Sequence, residues 1–283
     1  MDWRLKCLAF HMLAFVPGDC LYRALQRRVT GRYLFTIGEK RLAIEREHVA
    51  NFQRLGCPGS ALEFGAGPHL LSPLMLSAAG ASGVLTYDID SQATPERVNH
   101  VIRQLRQLRV AGADWREITD IEDLQRLYRI CYIAPGDARS TGLPAGSVDF
   151  VFSTSVLEHI DEPNIRLILR ECIRVSSPGG LMSFAIDYND HYAGFDSSIG
   201  KLNFLRYSER QWAKYNPPRH HQNRLRHSDF LRIFQDLGLE IVEQRRIMGC
   251  AEDLERIKVA DCFGKHSRED LLSTGGRFLL KVH

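Results

Sequence analysis

The run SALEFGAGP, residues 60–68, is short and apolar, ends in Glu63 and Phe64, and then breaks at Gly65 and Gly67 around a small Ala66. A buried parallel strand that stops at a glycine turn and opens a helix has this pattern. Residues without bulky side chains let backbone N–H groups approach a ligand there, and let the next helix begin close by. Alone, the same pattern is also that of an ordinary strand-to-helix turn. The chain around it has to supply the partners that a ligand site requires.

Downstream, residues 70–79 read as a helix closed by Gly80, and GVLTY (83–87) as a second buried strand ending in Asp88-Ile89-Asp90. Asp88 follows Gly67 by 21 residues (88 − 67). At that spacing a carboxylate beyond the second strand reaches the ribose hydroxyls of a nucleotide lying over the first turn. The other use of an aspartate here, capping a helix, fits Asp90 better than Asp88. Residues 95–109 and 121–127 read as helices, and 129–134 as a third strand followed by Gly136-Asp137-Ala138. Residues 148–153 form a fourth strand, 164–175 an amphipathic helix, and 181–187 a fifth strand entered through Pro178-Gly179-Gly180. Strands separated by helices five times over predict an α/β protein, a doubly wound Rossmann-like sheet with helices on both faces. Residues 239–247 and 277–282 supply two closing strands.

Upstream, residues 39–55 read as a polar-faced helix leading into the first strand. The first thirty residues crowd Trp3, Leu5, Leu8, Phe10, Met12, Leu13, Phe15 and Val16 around Arg4, Lys6 and His11. The segment is interrupted by a histidine, lacks a small-x-small cleavage site, and is too short to span a bilayer. Leu21 and Leu25 with Arg23, Arg27, Arg28 and Arg32 continue it as an amphipathic helix. Two uses stand: a helical cap packed on the domain, or an arm lying on an anionic membrane surface through residues 1–32. The expected division is therefore a helical arm over 1–55 and a nucleotide-binding domain over 56–283, with an insertion at 188–228.

Composition sets wider bounds. The 283 residues are 44% apolar and 25% charged, with a net charge of +3, which is ordinary for a globular protein and too small to imply nucleic acid. Seven cysteines are scattered, odd in number and never spaced as C-x-x-C, against a disulfide framework or a cysteine zinc site. The expected setting is cytoplasmic, at the inner membrane face if the arm docks there.

Taken in order, ALEFGAGP, LTYDID, GDA, LPAGSVDFVFSTSVLEHI and SSPGGLMSFAID resemble the motifs of class I S-adenosylmethionine-dependent methyltransferases. The resemblance covers roughly residues 61–187 and implies a sheet whose last strand is antiparallel. Position by position, it implies S-adenosylmethionine held by Glu63, Gly65, Ala66 and Gly67 on the methionine side. Asp88 would hold the ribose, Ile89 would lie on the adenine, and Asp137 and Ala138 would meet the adenine edge. Ser153 would face the methyl group. The sequence departs from the pattern where His69 stands in place of a third glycine, and where 49 residues (137 − 88) separate the two aspartates. LEHI also resembles the ubiquinone-pathway O-methyltransferases, whose metal-binding version carries a glutamate where this chain has Ser155, so no metal is expected.

The long insertion holds the expected acceptor side: Tyr188, Tyr192, His220 and Arg224, with His191 and His159 as candidate bases, since histidine titrates near neutrality. Aromatics mixed with imidazoles suit a wall that stacks on a ring and bonds hydroxyls, but they also suit a small aromatic core. The expected activity is O-methylation of a small molecule or glycan-type acceptor. A cofactor-binding scaffold without turnover, docked through the arm, is the alternative.

Overall fold

The computed structural model describes residues 2–14, 35–56 and 58–283. The expected basic helix around Leu21 to Arg32 lies outside them. Helix α1 (Trp3–Ala14) is followed by α2 (Glu39–Gln53), which leads into β1 (Ser60–Phe64). Then come α3 (Leu71–Ala78), β2 (Gly83–Tyr87), α4 (Pro95–Gln107), α5 (Asp123–Tyr128), β3 (Ile130–Ile133) and β4 (Val148–Thr154). The chain continues through α6 (Glu162–Val175), β5 (Ser176–Asp187), α7 (His227–Asp236), β6 (Glu240–Met248) and β7 (Ser273–Lys281). Short helical turns fill the insertion and the segment between β6 and β7.

The strands form one sheet in the order β3-β2-β1-β4-β5-β7-β6. β1 pairs in parallel with β2 and β4, while β7 runs antiparallel between β5 and β6. Side chains alternate across a strand, and this assigns the core. Ala61, Phe150 and Phe152 face α2, α3, α4 and α5 in one apolar cluster. Leu62, Phe64, Val151 and Phe184 face α6 and α7 in a second.

Two boundaries differ from the sequence expectation for identifiable reasons. β5 begins at Ser176 rather than 181, because Ser176 already pairs with Val148 across a register irregularity. The cap of α4 is Thr94, whose hydroxyl accepts from the Arg97 N–H, with Pro95 supplying the first helical φ. Asp90 is therefore not a helix cap. Its own N–H donates to Asp88 instead. The long stretch before β3 is anchored by Trp115 and Ile118, which pack with Leu124 and Tyr128 of α5 into the first cluster.

A third apolar cluster stands apart from the sheet. Trp3, Cys7 and Phe10 of α1 pack with Tyr192, Leu202, Phe204 and Trp212 of the insertion. The Trp3 ring lies 4.8 Å from Tyr215 and 5.3 Å from Tyr192, and its backbone N–H donates to Asp196. Leu5, Leu8 and Met12 on the opposite side of α1 are exposed. No helix among the described residues is long and apolar enough to cross a membrane.

Candidate active site

The carboxyl ends of β1, β2 and β4 open onto a groove of about 770 Å³, the place where ligands bind in open α/β sheets. It is built from β1 outward. Gly65 and Gly67 have φ of +76° and +62°, a conformation that L side chains rarely adopt. A Cβ on Gly65 would sit 2.2 Å from Val156, whereas at Gly67 nothing lies within 4 Å. One glycine lets the fourth-strand loop pack against the turn, and the other leaves an open backbone face.

Asp88 ties this turn to β2. Its Oδ2 accepts from the Gly67 N–H at 2.7 Å and its Oδ1 from the Asp90 N–H at 2.9 Å. Ile89 beside it is 72% exposed, an apolar surface left open where a flat ring can lie. Asp137 follows β3 and is gripped by the Arg139 guanidinium at 3.0 and 2.7 Å, which holds its carboxyl below the usual range. Ala138 and Gly136 complete that wall. Because β2 and β4 flank β1 on opposite sides, the residues after β4 form the other half: Ser155, Val156, His159 and Ile160. Pro218, His220 and His221 of the insertion roof it.

At this end the imidazoles gather. The ring of His159 lies 4.8 Å from that of His191, which lies 6.3 Å from that of His220. His159 Nδ1–H donates to the His221 carbonyl at 2.8 Å, which leaves Nε2 free of that bond. Burial lowers His191 to about 3 and His220 to about 4, with His159 adding to both, so these two rings are neutral at pH 7.

Not every expected residue reaches the groove. The Glu63 side chain is buried on the α2 face, where it accepts from the Thr86 hydroxyl at 2.5 Å. Burial pushes its carboxyl up to about 8, with Thr86 pulling the other way. Ser153 is buried too, its hydroxyl donating to the Phe64 carbonyl at 3.0 Å; Ser155, two residues on and at φ +55°, lines the groove instead. Tyr188 is stacked on Phe230 in the second cluster and Tyr192 donates to the Tyr215 carbonyl in the third. Arg224 is 7% exposed and spends its guanidinium on the carbonyls of Phe204 and Tyr207 and on Glu209. A buried guanidinium needs such partners, and these hold the insertion together. A smaller cleft of about 270 Å³ borders Arg224, but Asp229 there is already paired with Lys265 and His266. Sequence reasoning missed Ser155, Val156, Asn164 and Pro218 as lining residues. The signal for the first two lay in the residues just past the fourth strand.

The residues at the β1 turn and after β2 and β3 fit an adenosyl cofactor: an open backbone face at Gly67, a carboxylate at the β2 end and an exposed apolar side chain beside it. Comparison with known proteins bears on the same region. The family model described as "Methyltransferase domain" matches residues 37–244. Similar solved structures include 1,6-didemethyltoxoflavin-N1-methyltransferase from Burkholderia thailandensis, with bound 1,6-didemethyltoxoflavin and S-adenosylhomocysteine. It is 12% identical over 85% of this chain and 78% of that one, with a TM-score of 0.49. The N-methyltransferase NodS from Bradyrhizobium japonicum is 13% identical over 87% and 88%, with a TM-score of 0.46. An S-adenosylmethionine-dependent methyltransferase from Mesorhizobium loti is 14% identical over 84% and 97%, at 0.46. No curated protein sequence matches the chain.

Proposed function

The chain belongs to the class I S-adenosylmethionine-dependent methyltransferases, and on that premise we propose that it methylates an oxygen of a small or glycan-type acceptor held under the insertion. The observation that supports this is the gathering of His159, His191 and His220 across β1 from Asp88. Bound S-adenosylmethionine supplies an electrophilic methyl on a sulfonium. Asp88 accepts from the ribose hydroxyls, Ile89 packs on the adenine, and Asp137 and Ala138 meet its edge. Gly65, Ala66 and Gly67 present backbone along the methionine portion, with Glu63 behind them. The imidazoles of His159 and His191 accept a hydrogen bond from the acceptor hydroxyl, orient its lone pair for in-line attack and take up its proton, while S-adenosylhomocysteine leaves. His220, with the rest of the roof, excludes water.

Titration calorimetry of the purified chain with S-adenosylhomocysteine tests the cofactor half, and absence of binding would overturn it. Asp88→Ala should weaken affinity about 10- to 100-fold, because the buried polar groups it serves are left unmet. Release of S-adenosylhomocysteine across a panel of hydroxylated and amine acceptors tests the acceptor half. Turnover on amines alone would reject oxygen as the target.

A further inference from the structure

Glu158 stands out beside the imidazoles. It is 1% exposed, and neither carboxylate oxygen makes a hydrogen bond of normal geometry among the described residues. Burying a carboxyl without partners is costly, and nothing in the methyl-transfer geometry uses it. Around it, further buried polar atoms are also unpartnered: Asn189 Oδ1, His220 Nε2 and His221 Nε2. One ligand atom each from Glu158, His159 and His191 lies within 4.8 Å of the others.

We propose, against the sequence expectation of no metal that rested on Ser155, that Glu158, His159 and His191 bind a divalent transition-metal ion of the zinc or cobalt type, with His191 from after β5 as the third donor. Two imidazoles and one carboxylate with a position left open form the donor set of catalytic zinc sites, whereas magnesium and calcium prefer all-oxygen ligands. The three donors come from two places, the end of β4 and the segment after β5, so the fold brings them together rather than one local motif. His159 is already oriented: its Nδ1–H donates to the His221 carbonyl, which turns Nε2 toward the site. Asp187 Oδ2 lies 3.8 Å from His191 Nε2, a further carboxylate at the edge of the cluster. At metal–ligand distances of about 2.1 Å, tetrahedral donors sit roughly 3.4 Å apart, so the cluster closes on an ion by side-chain movement of about 1 Å.

The binding site stands on these residues alone. Only the further step, an acceptor oxygen in the open position, rests on the acceptor reading above. With an ion held there, the His159 and His191 lone pairs would be used as ligands, and the ion would take over from the imidazoles the polarising of the acceptor hydroxyl.

The test titrates the untagged, chelator-treated chain with Co²⁺ alone and follows visible absorption. One equivalent should bind with the intense bands of a four- or five-coordinate ion. Glu158→Gln, nearly isosteric, and His191→Ala should each weaken binding by more than about tenfold. His283→Ala, at the exposed chain end, should leave it unchanged. S-Adenosylhomocysteine affinity of each metal-free variant shows separately that the cofactor half is folded. Loss of Co²⁺ binding in a variant that keeps cofactor affinity supports the site. Cofactor binding by a wild-type chain that takes up no Co²⁺ overturns it and leaves the methyltransferase intact. Affinity unchanged in both variants, or displacement of Co²⁺ by equimolar Mg²⁺, also overturns it.

Discussion

At the scale of single residues, Gly65 and Gly67 look interchangeable in the sequence, and the structure separates them. Both have positive φ, so any side chain costs on the order of 1–3 kcal/mol in backbone strain. Gly65 has a further constraint, because a methyl group on its Cα would lie 2.2 Å from Val156. Gly65→Ala should therefore destabilise the fold more than Gly67→Ala in urea unfolding, and weaken S-adenosylhomocysteine binding by more than about tenfold. Adding Val156→Ala should recover part of the loss, because it removes the clash and leaves only the strain. Equal effects of the two glycine substitutions would contradict this. Asp88 was legible because its position depends on the spacing between a turn and a strand end. Glu63 was assigned to the cofactor by the family resemblance, and its direction was not legible. Strand alternation sends it to the α2 face, while the groove opens past the strand ends. Ser153 and Ser155 differ in the same way: one is still within the pleat, and the other lies just beyond it.

Among the elements, α2 shows most clearly what a linear reading leaves out. Its polar face is not a solvated face. His48 is 2% exposed and bonds Ser183 of β5 at 2.8 Å and Thr154 of β4 at 2.9 Å. Asn51 also donates to Ser183, and the Ser72 hydroxyl of α3 donates to Glu45. The helix is thus pinned to β4 and β5 by buried polar pairs. Burial, with the charges of Arg41 and Arg277, lowers His48 to about 3. In the unfolded chain it titrates near 6.5. Between these values the unfolded state binds the extra proton, so this residue's contribution to stability is complete above about pH 6.5 and is lost as pH falls toward 3. The urea midpoint of His48→Gln should accordingly change less than the wild type's between pH 7.5 and 5. A parallel loss in both proteins would show that His48 does not set that acid limb.

For the molecule as a whole, two clusters sandwich the sheet, and the third joins α1 to the insertion. Trp3 is the central ring of the third cluster, among Tyr192, Tyr207 and Tyr215. Trp3→Ala should cost about 3–5 kcal/mol locally. The third cluster should then unfold before the sheet, with fluorescence of Trp212 changing ahead of circular dichroism. Cofactor affinity should stay nearer that of the wild type than acceptor turnover does, since α1 meets the groove at its roof, where Phe10 stacks on His220 at 4.5 Å. Coincident transitions would mean that the cap and sheet form one cooperative unit. The sequence by itself determined the strand succession and the glycine turn and carboxylate at the ends of the first two strands, because periodicity and turn spacing are local properties of the chain; the antiparallel close was implied by the family resemblance. Tertiary structure alone decided that Tyr188, Tyr192 and Arg224 support the interior. It also decided that α1 packs on the insertion, and that Glu158 meets His191 across two strand ends. Those outcomes depend on which surfaces bury one another and which polar groups are left without partners, and neither is written at any single position. For SALEFGAGP, the fold adds a direction: the backbone of Gly67 faces open space, while Glu63 faces α2.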